Sequence, residues 1–377
     1  THQRHRHKAV AAPTLPFNLL VAKPVSRADF ITNPEAMEAY WKEWTNLENK
    51  GVWKWDTLVE WDTVARDARN ASPPEEIHFG YLFGLMVEKG SEYPVGDARR
   101  KFKYRVVFQG NNVKDQDWSV ALFNEMASTP ATLEASRCSD IYSCFPDHTV
   151  QGRDVEQAYL QAKMKGPPTY IMLPQELWTD EMWKMRCPVF RLELALYGHK
   201  NSGRFWQDYC HIQCAKAGFT LISENWPCVY FNHTTSMLLI VYVDDMKLSG
   251  PTKHMDETWR QLGENITLDK PAGDTDGTTH TFLGCSHIRS QKTVNGKTVE
   301  CMEYDVSHSL RKAVAKYEEA VYTVTGQLPV LTPTETPFIH EETKDCQMRA
   351  PYTTGPFVEC PCCLHTFSAE EAAKTCT

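Results

Sequence analysis

Two adjacent aspartates close an apolar stretch of the chain, and their position suggests metal chemistry. Residues 238–250 read LLIVYVDDMKLSG, in which aliphatic and aromatic residues lead directly into Asp244 and Asp245. Such a run predicts a buried strand, and carboxylates at its end are costly because like charges repel and burial disfavours ionisation. A divalent cation offsets that cost, since Mg²⁺ binds carboxylates together with substrate phosphates. An isolated pair of aspartates, however, is usually a solvated turn.

A complete site needs a third acid, because neighbouring side chains on a strand point to opposite faces. Asp154, in the segment GRDVEQAYL, follows a short strand-like stretch and is the candidate. Two metal ions ~4 Å apart, held by such acids, activate an attacking hydroxyl and stabilise a leaving oxygen. A strand that ends in Asp, followed later by a hairpin that bears Asp-Asp, is the layout of a nucleic-acid polymerase palm.

The elements around these acids are predicted from apolar periodicity and from turn residues. A tryptophan-rich helical region precedes two paired strands, and the second of these strands carries the basic residues of RRKFKYR. Asp154 lies where a strand passes into a helix. Further helices are predicted before residue 146, after residue 200 and over residues 307–324. Residues 1–33 predict a flexible basic tail, and residues 339–377 an acidic tail that contains cysteines.

Composition limits the class of protein. The chain has 377 residues, of which 42% are hydrophobic, and a formal net charge of -8. This length suffices for two or three domains, and no apolar stretch is long enough to span a bilayer. The first residue is not Met, so we expect a fragment of a longer protein. The 13 cysteines are mostly scattered singly, which predicts reduced thiols in an intracellular compartment.

Several motifs in order carry a resemblance to a known family. The sequence resembles the reverse transcriptase of copia-type LTR retrotransposons, part of a retrovirus-related Pol polyprotein. The matching segments are KFKYRVVFQG (101–110), DVEQAYL (154–160), LYGHKNSGRFW (196–206), VYVDDMKLSG (241–250), TFLGC (281–285) and VLTPTETPF (330–338). The resemblance covers about residues 36–338.

The resemblance implies an α+β right-hand polymerase fold, with an antiparallel palm sheet backed by helices, fingers and a short thumb. Residues 34–250 would form the fingers and palm, and residues 251–338 the end of the palm and a thumb-like region. The implied activity is RNA-directed DNA polymerisation, with an RNA template, a DNA primer, dNTPs and other parts of the polyprotein as partners, and no membrane. The implied location is a cytoplasmic particle, the nucleus or both, before DNA integration.

By the same resemblance, Asp154, Asp244 and Asp245 are the catalytic carboxylates. They would hold two Mg²⁺ ions, for which Mn²⁺ could substitute, helped by the carbonyl of Val155. The primer 3′-hydroxyl would attack the α-phosphate of a dNTP and expel pyrophosphate.

Further residues would bind the substrate. Lys103 and Arg105, alternating on one strand face, would contact the triphosphate, although a solvated basic edge strand is the plainer interpretation. Tyr159 would pack beneath the sugar and exclude a 2′-hydroxyl, which argues against an RNA-directed RNA polymerase. The alternative role for Tyr159 is that of an ordinary core aromatic. Tyr242 would pack near the primer end or simply in the core.

Gly198, Lys200 and Arg204 would approach template or nucleotide from the loop before a helix. Here the sequence departs from the family, since HKNSG stands where the family has L-K-Q-A-P. That difference puts the details of the template contact in doubt. It does not involve the predicted metal ligands.

Two alternatives stay open. Cys360 and Cys363 form one C-x-x-C pair, which is half of a zinc knuckle, and a tail that merely contains thiols is the competing interpretation. For the whole chain, the alternative to an enzyme is a catalytically inactive, nucleic-acid-binding remnant of a retroelement.

Overall fold

The protein is described by a computed structural model, which covers residues 23–91, 93, 96–121, 123, 130–269, 279–331, 357–359 and 366–368. Within these residues the fold is α+β, with several antiparallel sheets and seven α-helices. The helices are α1 (Arg27–Phe30), α2 (Pro34–Asn49), α3 (Trp61–Asn70), α4 (Leu133–Ser143), α5 (Ser202–Lys216), α6 (Met255–Gly263) and α7 (Ser307–Thr325). None of the helices in the described ranges is long and apolar enough to cross a membrane.

The strands form four sheets. They are β1 (Lys23–Pro24), β2 (Val59–Glu60), β3 (His78–Lys89), β4 (Lys101–Phe108), β5 (Lys114–Asp115), β6 (His148–Asp154), β7 (Thr169–Met172), β8 (Pro188–Arg191), β9 (Thr220–Ser223), β10 (Trp226–Asn232), β11 (Met237–Tyr242), β12 (Asp245–Pro251), β13 (Thr279–Phe282), β14 (Cys285–Val294), β15 (Lys297–Asp305), β16 (Phe357–Glu359) and β17 (Thr366–Ser368).

The strand β3 organises the largest sheet. This sheet runs β1-β3-β7-β8-β2, and β4 and β5 also pair with β3; only the β3–β7 pair is parallel. The second sheet is fully antiparallel, in the order β6-β12-β11-β10-β9. Smaller sheets are β13-β14-β15 and β16-β17. Contacts divide the chain into a unit of Leu20–Val314 and a second unit of Thr1–Leu19 with Ala315–Thr377.

Helices cover the five-stranded sheet and complete its core. The central strand β11 is almost wholly apolar, and its residues Leu239, Ile240 and Val241 are buried with side chains from α4, α5 and α6, including Trp206 and Trp259. A buried run of this kind is expected where both faces of a strand are covered. The predicted apolar strand before the two aspartates is thus confirmed, and it anchors them in a rigid core.

The helix α2 builds a second core against β3 and β4. The Asn33 side chain accepts a hydrogen bond from the backbone N–H of Ala36 at 3.1 Å, and Pro34 follows at the first helical position, so the helix begins with a strong start signal. Tyr40 and Trp44 are buried on its inner face. The Tyr40 ring lies 4.8 Å from that of Tyr104 on β4. This packing fixes α2 beside the strand that carries the basic residues.

Candidate active site

The turn between β11 and β12 presents Asp244. The last residue pair of this hairpin is Tyr242 opposite Asp245, so the turn itself consists of Val243 and Asp244. Val243 has a φ of 55°, which is strained for a β-branched residue. The indole N–H of Trp206, on α5, donates a hydrogen bond to the Val243 carbonyl at 2.8 Å. The core therefore holds the turn in a conformation that the local sequence alone would avoid.

The strand β6 brings Asp154 to the same place. Asp154 lies directly opposite Asp245 in the antiparallel β6–β12 pair, and residues opposite each other share a sheet face. The backbone N–H of Val155 donates to the Asp244 carbonyl at 2.7 Å. The three acids predicted from separate segments are therefore brought together at the common end of β6, β11 and β12.

Charge repulsion within this group is visible in Asp245. Asp154 and Asp244 are exposed, whereas Asp245 is half-buried. Burial, followed by the negative charges of Asp244 and Asp154 and a hydrogen bond with Asp154, raises the pKa of Asp245 to about 6. No ion pair joins these carboxylates to Lys or Arg in the described part of the chain. Carboxylate oxygens without a described cationic partner are the ligands that a hard divalent cation takes.

A cleft of about 430 Å³ joins the acids to the basic face of β4. Lys103 and Arg105 line this cleft together with Asp154, Val155 and Asp244. Burial lowers the pKa of Lys103 to about 8, and the neighbouring charges of Arg105 and Lys89 act in the same direction. A site with carboxylates at one wall and cations at the other is suited to a ligand whose phosphates bridge the two.

The helix α2 supplies cleft residues that the sequence motifs did not indicate. Lys42, Glu43 and Asn46 line the wall beside β4. Burial raises the pKa of Glu43, while the charges of Arg105 and Lys103 oppose that shift. Asp269 is a further acid in the cleft, and its backbone N–H donates to the Asp154 carbonyl at 2.8 Å. None of these residues belongs to a motif, so only the tertiary packing reveals them.

The aromatic residues of the site differ in placement. Tyr159 follows Asp154 in a short 3₁₀ helix, and burial, followed by the charge of Asp244, raises its pKa. Its ring lies 4.6 Å from the ring of Tyr197, which lines the cleft. Tyr242 is half-buried at the end of β11 and packs against the core of the five-stranded sheet. Tyr197 was not among the predicted site residues.

Gly198 and Lys200 lie in the loop before α5 and Arg204 in the first turn of that helix, and none of the three lines the cleft. Arg204 instead forms an ion pair of 2.8 Å with Asp208, one turn further along α5. Lys200 lies over the ring of Phe123 at 5.1 Å. Gly198 has a φ of 89°, and a Cβ there would meet the carbonyl oxygen of Phe108, so the close approach requiring glycine is to β4. Their contacts with nucleic acid stay predictions.

A second cluster of ionisable side chains lies in the interior, beside β12. Asp140, His280 and His287 are buried, and their ligand-type atoms lie within 4.8 Å of one another, which makes them a metal-site candidate. The Lys247 ammonium, however, forms an ion pair with Asp140 and lies 3.2 Å from His287 Nδ1 and 3.0 Å from Ser136 Oγ. This side chain supplies the cluster's positive charge.

The partners of this cluster keep its charges balanced. Burial alone would raise the pKa of Asp140, but the hydrogen bond with His287 and the charge of Lys247 outweigh it and lower that pKa. Burial lowers the pKa of Lys247 to about 8, against the pull of Asp140. Tyr304 donates its hydroxyl to Asp140 Oδ2 at 3.0 Å. His280 stays neutral because burial lowers its pKa to about 3.

The sequence could have indicated the buried lysine. Lys247 lies between the apolar residues Met246 and Leu248 of a strand segment, and a charge within a buried strand requires a partner. The identity of that partner could not be inferred, because Asp140 and His287 come from distant segments. Cys360 and Cys363, the other candidate metal ligands, lie outside the described residues.

Comparison with protein-family models gives a match. The family model described as reverse transcriptase (RNA-dependent DNA polymerase) matches residues 95–322, which is more than half of the 377-residue chain. The matched range contains all three clustered acids, the two basic cleft residues of β4 and the Tyr159–Tyr197 pair, and it excludes α2. No curated protein matches the chain.

Proposed function

The chain belongs to the reverse transcriptase family, and from that membership we propose that it is an RNA-directed DNA polymerase whose active site is the cleft between β4 and the three acids. The observation that carries this proposal is that Asp154, from one segment, lies beside the adjacent pair Asp244 and Asp245, from another, at the common end of β6, β11 and β12. The family in general extends a DNA primer on an RNA template, using dNTPs.

The metal would be held by the three carboxylates. Asp154 and Asp244 are exposed in the cleft, and burial together with the two neighbouring charges raises the pKa of Asp245 to about 6. We propose Mg²⁺, with the carbonyl of Val155 as an additional ligand. Bound Mg²⁺ would neutralise the acids and increase the acidity of the primer 3′-hydroxyl.

The protein's own residues orient the substrates. The guanidinium of Arg105 and the ammonium of Lys103 would hold the triphosphate, and Tyr159 would lie beneath the sugar. Bound in this way, the α-phosphate faces the carboxylates, and the primer hydroxyl attacks while pyrophosphate leaves. Catalysis here is positioning and charge stabilisation, because the residues form no covalent intermediate.

We also propose how the fold corresponds to the three subdomains of the family. The five-stranded sheet with its helices corresponds to the palm, the sheet around β3 with α2 to the fingers, and α7 to a thumb-like element. Copia-type origin, release from a Pol polyprotein, and action in a cytoplasmic particle or the nucleus belong to the same proposal. They rest on the order of the motifs.

The test is primer extension on an RNA template with dNTPs and Mg²⁺. We expect DNA synthesis that stops on chelation and that Asp244→Asn abolishes. The matched control is Asp180→Asn, which makes the same charge change in an exposed loop away from the cleft. Folded protein that binds primer–template without extending it would replace this proposal with the inactive remnant.

A further inference from the structure

Tyr197 contacts two residues of the proposed nucleotide site. Its ring is 4.6 Å from the Tyr159 ring, with an interplanar angle of 49°. The guanidinium carbon of Arg105 is 5.7 Å from the centre of the Tyr197 ring. Aromatic pairs and cation–π contacts at such distances are attractive. Tyr197 therefore links the residue placed at the sugar to the residue placed at the triphosphate.

The backbone of Tyr197 is held firmly. Its carbonyl accepts a hydrogen bond from the backbone N–H of Phe108, at the end of β4, at 2.7 Å. The next residue, Gly198, has a φ of 89°, and its close approach to Phe108 leaves no room for a side chain. The Tyr197 ring thus starts from a fixed point and can act as a support.

Tyr159 contacts both the core and Tyr197. It packs against the buried cluster of Ala162, Ala195 and Phe205, and it borders a small cavity of about 20 Å³ that is also lined by Trp206 and Val243. A side chain beside unfilled space can shift when a neighbour is removed. We therefore expect loss of the Tyr197 ring, which lines the cleft, to move Tyr159.

We propose that Tyr197 is a positioning residue that holds Tyr159 against the sugar and thereby determines how strongly the enzyme prefers dNTPs over rNTPs. This proposal rests on the proposed polymerase function. Tyr197 would then affect nucleotide incorporation through two contacts. Contact with Arg105 affects all nucleotides alike, whereas contact with Tyr159 affects only the discrimination at the 2′-position.

The experiment measures kcat/KM for single-nucleotide incorporation with a dNTP and with the corresponding rNTP. We expect Tyr197→Ala to lower the dNTP/rNTP ratio roughly three- to tenfold, the range expected for losing one aromatic pair. Tyr197→Phe keeps the ring and should keep the ratio. In a Tyr159→Ala background, Tyr197→Ala should leave the ratio unchanged, because the group through which it acts is gone.

Two further variants guard the interpretation. Tyr142→Ala removes a half-buried tyrosine ring on α4 that does not line the cleft, and it should change both nucleotides equally. Should Tyr197→Ala fail to fold, Tyr197→Leu keeps an apolar side chain and must lower the ratio in the same direction.

The outcomes separate this inference from the proposed function. Wild-type protein that makes no DNA overturns both. Active protein in which Tyr197→Ala slows dNTP and rNTP incorporation by the same factor overturns only the role of Tyr197 in discrimination. If Tyr197→Ala lowered the dNTP/rNTP ratio by the same factor with and without Tyr159→Ala, the proposal that Tyr197 acts through Tyr159 would be overturned.

Discussion

Two clusters of ionisable side chains lie near the strand β12, and their negative charges are balanced in different ways. At the turn, Asp154, Asp244 and Asp245 converge beside an open cleft, and burial with mutual repulsion raises the pKa of Asp245 to about 6. Two residues further along the strand, Lys247 places its ammonium against Asp140 in the interior. The first cluster has no ion pair with Lys or Arg among the described residues, whereas Lys247 gives the second cluster its cation. The comparison predicts that substitutions in the first cluster affect activity and that those in the second affect stability.

The largest effect is expected at the cleft. Asp154→Asn should reduce primer extension roughly a thousandfold or more, because a ligand that stabilises the transition-state charge is lost. The same change should leave the free energy of unfolding equal or higher, since it removes repulsion among the acids. Extension assays and urea denaturation of one preparation measure both. A large loss of stability would place Asp154 with the structural acids.

The opposite pattern is expected in the interior. Lys247→Met should lower the free energy of unfolding by about 3–5 kcal/mol, because it leaves Asp140 buried without its cation. Urea denaturation measures this loss. The double variant Asp140→Asn with Lys247→Met should recover much of it. Lys292→Met, which breaks an exposed ion pair with Glu303 of 3.0 Å, is the control and should have a much smaller effect.

This prediction also tests the metal alternative. If Zn²⁺ restored the stability of the Lys247→Met protein, Asp140, His280 and His287 would be acting as metal ligands, and the contrast between the clusters would fail.

Mg²⁺ itself should stabilise the folded protein through the cleft alone. At a hundredfold excess over its Kd, a bound ion adds about 2.7 kcal/mol to the free energy of unfolding. Thermal melts with and without Mg²⁺ should show a shift in wild type and in Asp180→Asn, and a strongly reduced shift in Asp154→Asn. An equal shift in all three proteins would mean that Mg²⁺ binds elsewhere.

The smallest effect concerns pH. Because burial lowers the pKa of Lys103 to about 8, its ammonium is charged below that pH and is lost as pH rises through it. The KM for dNTP should therefore rise by roughly three- to tenfold between pH 7 and 9, as the attraction to the triphosphate fades. Lys103→Arg keeps its charge over this range and should give a flat profile. A rise in both proteins would assign the titration to another group.

The sequence predicted the local parts of the site well. The run LLIVYV, the acids after it and the strand before Asp154 follow from short-range patterns, and the structure has them as β11, β12 and β6. A helix over 307–324 was likewise predicted and is confirmed as α7. The α+β class is confirmed too.

Long-range arrangements could not be predicted in the same way. The position of Glu43 in the cleft depends on how α2 packs on β4, and no pattern within α2 specifies that. Arg204 was predicted to face phosphates, but its spacing of four residues from Asp208 on one helix already favoured an ion pair. The contact between the rings of Tyr197 and Tyr159 likewise needs the loop after β8 to meet the segment after β6.

The strained turn at Val243 has a consequence for protein engineering. Glycine or asparagine adopts a positive φ more easily than valine, so either should raise thermal tolerance at this position. The same change would make the turn that carries Asp244 more flexible. We therefore expect selection for heat resistance alone to lower the proposed polymerase activity, and variants of this turn should be screened for both properties.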